Sequence, residues 1–141
     1  MMQTSANGVA FIKSNEGKRL TVYIDRGRPC IGYGHDLLPG ESFPDGIDDA
    51  QADALLASDL HDRFEPPVNR LAPWANQNEF DALVDFCFNL GPGRLAVMLH
   101  HGRSLVPYEI PHWCYEEKDG VEVESPELYE RRLKEVALYR A

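Results

Sequence analysis

Three features of the sequence predict an α+β fold, with short strands gathered at one end of a mainly helical chain. Leu20, Val22 and Ile24 alternate with Thr21 and Tyr23, and a turn rich in Gly and Pro follows over Asp25–Pro29. Beyond residue 48 the apolar side chains recur at helical spacing. The length of 141 residues, with 43% hydrophobic and 26% charged side chains, suits one soluble domain spanning 1–141 with a real core.

Each element follows from local chemistry. Val9, Phe11 and Ile12 predict a short amphipathic helix that stops near Asn15–Gly17. The alternating segment 20–24 and a second strand through Cys30, Ile31 and Tyr33 form a β-hairpin. After the loop 39–46, Asp48 caps a helix carrying Ala54, Leu55, Ala57, Leu60 and Phe64, which Pro66-Pro67 should end. Phe80, Leu83, Val84, Cys87 and Phe88 give the helix 76–90 a stripe wide enough for burial, and Gly91-Pro92-Gly93 breaks it. Short helices are expected over 95–101 and 107–115. Ser125-Pro126-Glu127 reads as cap, first turn and acidic start of a terminal helix to about Tyr139. Asp81 and Asp85 share a helical face and read as solvated.

Composition excludes several classes. The net charge is -9, divided into +2 over residues 1–40 and -11 over the remainder. So acidic a body argues against nucleic-acid binding, which depends on clustered Lys and Arg. The basic segment with Lys13, Lys18, Arg19, Arg26 and Arg28 suits either solvent or an anionic polymer. No run approaches the ~18 apolar residues of a membrane span, and Met1–Gly17 shows no secretory signal. Cys30, Cys87 and Cys114 lack Cys-x-x-Cys spacing, so neither a disulfide framework, a metal site nor a cofactor is expected.

The chemistry points to the junction of first helix and hairpin. Glu16 ends the helix and Asp25 begins the hairpin turn. Two carboxyl groups in unequal surroundings suit acid–base cleavage of a glycosidic bond. Spacing alone describes two surface carboxylates equally well.

The run Asn15-Glu16-Gly17-Lys18-Arg19-Leu20, then Tyr23-Ile24-Asp25, then Cys30-Ile31-Gly32-Tyr33-Gly34-His35 resembles the bacteriophage-type lysozymes, glycoside hydrolase family 24. The likeness continues through residues 77–84 and Phe86-Cys87-Phe88-Asn89-Leu90-Gly91, and into the arginine-bearing stretch 128–135. These blocks occur in family order across nearly the whole chain.

The resemblance implies a lysozyme-like fold, with a hairpin lobe packed on a helical lobe and a cleft between them. It implies a muramidase acting on the β-1,4 bond between N-acetylmuramic acid and N-acetylglucosamine. Glu16 would be the general acid and Asp25 would position or activate water, with inversion. Asp36, Phe88 and Asn89 would contact substrate. The expected partner is bacterial peptidoglycan, met by a monomer made in the host cytoplasm and delivered to the periplasm through a holin-like pore or a secretion apparatus. Cys30 takes the place of the family's usual Thr, and four residues rather than five separate it from Asp25. It stands as a third candidate catalytic residue, with a buried inert thiol as the alternative. His112 precedes Trp113 where the family often has an Arg that pairs with the catalytic Glu. These departures leave open a second reading, a weak or inactive lysozyme-fold module that binds peptidoglycan or a protein partner. A tail-associated or delivered lysozyme would share the chemistry of the first.

Overall fold

The computed structural model describes residues 1–141. Helix α1 (Ala6–Asn15) starts at Ser5, whose hydroxyl accepts from the Gly8 amide, and Glu16 caps its end. Strands β1 (Arg19–Asp25) and β2 (Arg28–Gly32) form the expected hairpin, and a short β3 (His35–Asp36) adds a third antiparallel strand in the order β1-β2-β3. The two-residue turn needs left-handed backbone at both positions, met by Arg26 at φ 50° and Gly27 at φ 77°.

Helix α2 (Asp49–Asp59) opens with a full capping box between Asp48 and Gln51. It does not stop at the prolines. A π-helical turn, Leu60–Phe64, leads into α3 (Glu65–Leu71), with Pro66 and Pro67 in its first turn. A first turn has no use for the missing N–H, so the prolines open a helix here instead of closing one.

Helix α4 (Gln77–Leu90) is the central pillar and is buried along most of its length. Phe80, Leu83, Val84, Phe86 and Cys87 join Ile12, Leu56, Phe64, Val68 and Leu95 in one apolar cluster. A smaller cluster, Ile31, Ile47 and Ala52, fastens the hairpin sheet to α2.

Helix α5 (Pro92–Leu99) begins directly after Gly91, earlier than the expected 95–101, because Pro92 and Gly93 sit in its first turn instead of in a break. A 3-10 turn Arg103–Leu105 comes next, and the segment expected to be one helix over 107–115 is instead divided between a single-turn α6 (Val106–Glu109), a 3-10 turn Ile110–His112 and the start of a strand at Tyr115. A second hairpin then forms from β4 (Tyr115–Lys118) and β5 (Val121–Glu124). Asp119 and Gly120 both take positive φ in its turn. Strands therefore occur at two places in the chain. Helix α7 (Pro126–Tyr139), capped by Ser125, packs along α4.

Asp81 and Asp85 are fully buried, contrary to the expectation of solvation. Asp81 accepts from the Ser5 amide at 3.0 Å, from the Ser5 hydroxyl and from Gln77 at 2.9 Å. Gly8 passes so close that a Cβ there would lie 2.5 Å from the Asp81 carboxyl carbon. Asp85 is neutralised from α7.

Candidate active site

Glu16 stands where α1 ends, its side chain 23% exposed. Its Oε1 accepts from Arg131 Nη1 at 2.8 Å. The same guanidinium donates to both oxygens of Asp85, from Nε at 3.0 Å and Nη2 at 2.9 Å. Burial is the strongest influence on the Glu16 carboxyl and raises its pKa. Arg131 opposes this by charge and hydrogen bond, while Asp85 and Asp25 add to the rise, and the pKa stays above the ordinary glutamate value.

Asp25 is exposed at the hairpin turn, opposite Arg28 in the strand register. One carboxyl is thus enclosed at a helix end and the other stands in water, with Asp25 near enough for its charge to act on Glu16.

Cys30 is buried and lies opposite Asp36 in the β2–β3 register. Its thiol donates to Asp36 Oδ1 at 3.2 Å, with the Arg28 carbonyl 3.6 Å away. Burial first, then the hydrogen bond to Asp36, push the thiol pKa up to about 11. At neutral pH such a group is a protonated donor, not a thiolate. Asp36 also lies within 3.6 Å of Arg28 and 3.9 Å of Arg63.

Phe88 and Asn89 lie near the C-terminal end of α4, both half-buried. The Phe88 ring meets Phe64 edge-on at 5.0 Å. Asn89 Oδ1 accepts from Arg132 Nη2 at 2.7 Å, which leaves its amide N–H groups to donate elsewhere. His35 is buried, with Nδ1 2.8 Å from Asp59 and Nε2 2.7 Å from Glu41. Burial lowers the imidazole pKa, but these two carboxylates outweigh it and hold the pKa above the ordinary value.

His112 is exposed at the end of its 3-10 turn, and the cation that meets Glu16 is Arg131. Trp113 packs edge-on against Phe86 at 5.9 Å, and Trp74 lies under the Arg103 guanidinium at 4.9 Å. Arg131 was the residue the sequence reading did not single out. A signal was present: Leu128, Arg131, Arg132, Glu135 and Tyr139 follow helical spacing, so the charged members share a stripe with apolar ones. A cavity of about 510 Å³ lined by Glu79, Arg103 and Arg140 shares no residue with this site.

Residues 13–135 match the family model for phage lysozyme. The chain belongs to the phage lysozyme family. It is 38% identical over 100 residues to the endolysin of Salmonella phage P22, an alignment covering 68% of each protein. It is 36% identical over 153 aligned positions to the endolysin of Bacillus phage PZA. That alignment takes in 99% of this chain and 56% of the relative, so the chain spans little more than half of that endolysin's length. Among solved structures, the muramidase domain of SpmX from Asticaccaulis excentricus superposes with a TM-score of 0.87 at 32% identity, over 100% of this chain and 99% of that one. The lysozyme-like α+β architecture follows from these matches, with the first hairpin packed on the helical body.

Proposed function

We propose that this phage-type lysozyme hydrolyses the β-1,4 bond between N-acetylmuramic acid and N-acetylglucosamine in peptidoglycan. Glu16 is the general acid in this reading, and Asp25 positions or activates the attacking water. The observation that carries it is the unequal setting of the two carboxyls: Glu16 is enclosed with its pKa raised, while Asp25 is exposed.

A raised pKa keeps a proton on Glu16 for the leaving glycosidic oxygen. Water held by Asp25 attacks the opposite face of the sugar, which inverts the anomeric carbon. Inverting glycosidases hold such carboxyls roughly 6.5–9.5 Å apart, with room for that water. Asn89 offers its free amide N–H groups to the sugar, Phe88 offers an apolar edge, and Asp36 accepts from a hydroxyl. Cys30 takes part through Asp36, whose carboxylate it fixes by hydrogen bond. The chain works as a monomeric domain and reaches the periplasmic face of the wall through a holin-like pore or a secretion apparatus.

One observation favours the second reading, a module that binds peptidoglycan with little turnover. The group in the usual Thr place is a thiol whose hydrogen is committed to Asp36. A thiol is also a weaker partner for water than a hydroxyl.

Mass spectrometry of muropeptides released by the native protein and by Glu16→Gln decides between them. Products ending in reducing N-acetylmuramic acid from the native protein alone support the muramidase. No release above the variant, with both proteins folded and cosedimenting with the wall, supports the binding module.

A further inference from the structure

A buried arginine decides which way the Asn89 amide points. Arg132 on α7 is fully enclosed, and its Nη2 donates to Asn89 Oδ1 at 2.7 Å. A guanidinium only donates hydrogen bonds, so the amide must turn its oxygen to Arg132 and its NH₂ away. The same Nη2 donates to Glu135 Oε2 at 2.9 Å, and Nη1 donates to the Trp113 carbonyl at 3.4 Å. The guanidinium also lies 5.1 Å from the centroid of the Phe86 ring. Held by these neighbours, Arg132 is a fixed point against which Asn89 is set.

The outward NH₂ of Asn89 donates to no protein group, and it is not shut away from solvent. Phe86 lies one turn earlier on the same side of α4, and the half-buried Trp113 ring meets it edge-on at 5.9 Å. One guanidinium therefore brings together an amide edge that can only donate and a partly exposed indole. Sugar hydroxyls donate and accept alike, so a fixed donor does little to choose among them. An acetamido group differs, because its carbonyl oxygen only accepts and its methyl is apolar. Both sugars of the proposed substrate carry one.

We propose that Asn89 and Trp113 form a recognition site for an acetamido group of the glycan, with Arg132 as the residue that positions the amide. The acetamido carbonyl accepts from the Asn89 NH₂, and its methyl rests against the Trp113 indole. Arg132 touches no sugar; by holding Oδ1 it keeps the donor side of Asn89 turned to the ligand. The site rests on the muramidase reading for its glycan, but binding can be read without turnover.

NMR titration of the full chain with two neutral β-1,4 tetramers tests the proposal, one of N-acetylglucosamine and one of glucose, which has a hydroxyl in place of each acetamido group. The acetylated tetramer should shift the Asn89 side-chain NH₂ and Trp113 indole resonances and bind about 3–10-fold more tightly, the worth of one hydrogen bond. Equal binding of the two, or an Asn89 NH₂ that the acetylated tetramer leaves unmoved, overturns the proposal. Asn89→Asp puts an acceptor in place of the donor, so the preference should shrink by a similar factor; an unchanged preference in the folded variant also overturns it. Arg132→Lys cannot hold Asn89, Trp113 and Glu135 at once and should lower the preference as well. An arginine that merely supports the fold would weaken both tetramers alike, and that result removes Arg132 from the site. If Arg132→Lys does not fold, Asn89→Asp, at a half-buried position, decides. Peptidoglycan left uncut by a chain that prefers the acetylated tetramer overturns the muramidase reading and leaves the acetamido site in place. Cleavage by a chain that binds both alike does the reverse.

Discussion

His35 reaches from the third strand into α2 and sets its Nδ1 2.8 Å from the Asp59 carboxylate, joining the sheet to the helical body inside the protein. Its other nitrogen meets Glu41, which also accepts from the Leu38 amide, so one imidazole gathers strand, loop and helix. Burial raises the Asp59 carboxyl more than His35 lowers it, whereas the less buried Glu41 is lowered. The histidine nonetheless gains from both.

A group whose folded pKa lies above its unfolded value stabilises fully below the unfolded pKa, about 6.5 for histidine. That contribution disappears as pH rises through the raised folded value. Replacing His35 with Asn should therefore cost more at pH 5.5 than at pH 9. The loss near pH 5.5 should be about 3–5 kcal/mol, the usual cost of breaking a buried pair. Denaturant titrations at the two pH values check this, and an equal loss at both would refute it.

In the proposed mechanism Glu16 must hold its proton, and burial raises its pKa. Activity on peptidoglycan should therefore persist above the ordinary glutamate range of about 4.3 and decline as pH passes the raised value. Glu16→Gln should lower the rate by about 10²–10⁴-fold with no loss of fold. Initial rates across pH, with circular dichroism of the variant, measure both.

Cys30→Thr places a hydroxyl in the hairpin, and a rise in turnover is expected from a better hydrogen-bonding group. Cys30→Ala frees Asp36 of its thiol donor and should lower turnover. With the thiol pKa at about 11, native Cys30 should react with iodoacetamide at pH 7 far more slowly than an unfolded cysteine. Turnover and alkylation rates are read separately, and rapid alkylation of the folded protein would contradict the buried, Asp36-bound thiol.

Gly8→Ala places a methyl group against the Asp81 carboxyl, which Ser5 and Gln77 already hold. Overpacking of this kind costs about 1–3 kcal/mol, whereas alanine elsewhere in a helix normally helps. Thermal unfolding should show the lowered stability.

Much of this arrangement was legible because it depends on neighbours in the chain. Asp48, Gly91 and Ser125 punctuate helices by local chemistry, and the structure uses each as expected. The alternation around Val22 likewise places the first hairpin. The second hairpin also carried a local signal in Lys118-Asp119-Gly120-Val121, since Asp-Gly between alternating residues is a strong turn former. The helical reading extended to Tyr115 obscured it. Pro66-Pro67 read as a stop because the π-helical turn before them was not foreseen.

Asp85 failed for a different reason. A charged residue on a helix ordinarily faces water, and only a partner 46 residues away makes its burial tolerable. The two candidate carboxyls, Glu16 and Asp25, come from one short segment, whereas the arginine that meets Glu16 depends on how α4 and α7 pack.

The 115-residue separation between Glu16 and Arg131 has a consequence for biosynthesis. Translation adds about 5–20 residues per second, so Glu16 is made on the order of ten seconds before its guanidinium partner. During that interval α1 and the hairpin have been synthesised but α7 has not, and Glu16 is without its guanidinium partner. Packing of α7 is thus the step that brings Arg131 to Glu16, long after the carboxyl itself has been made.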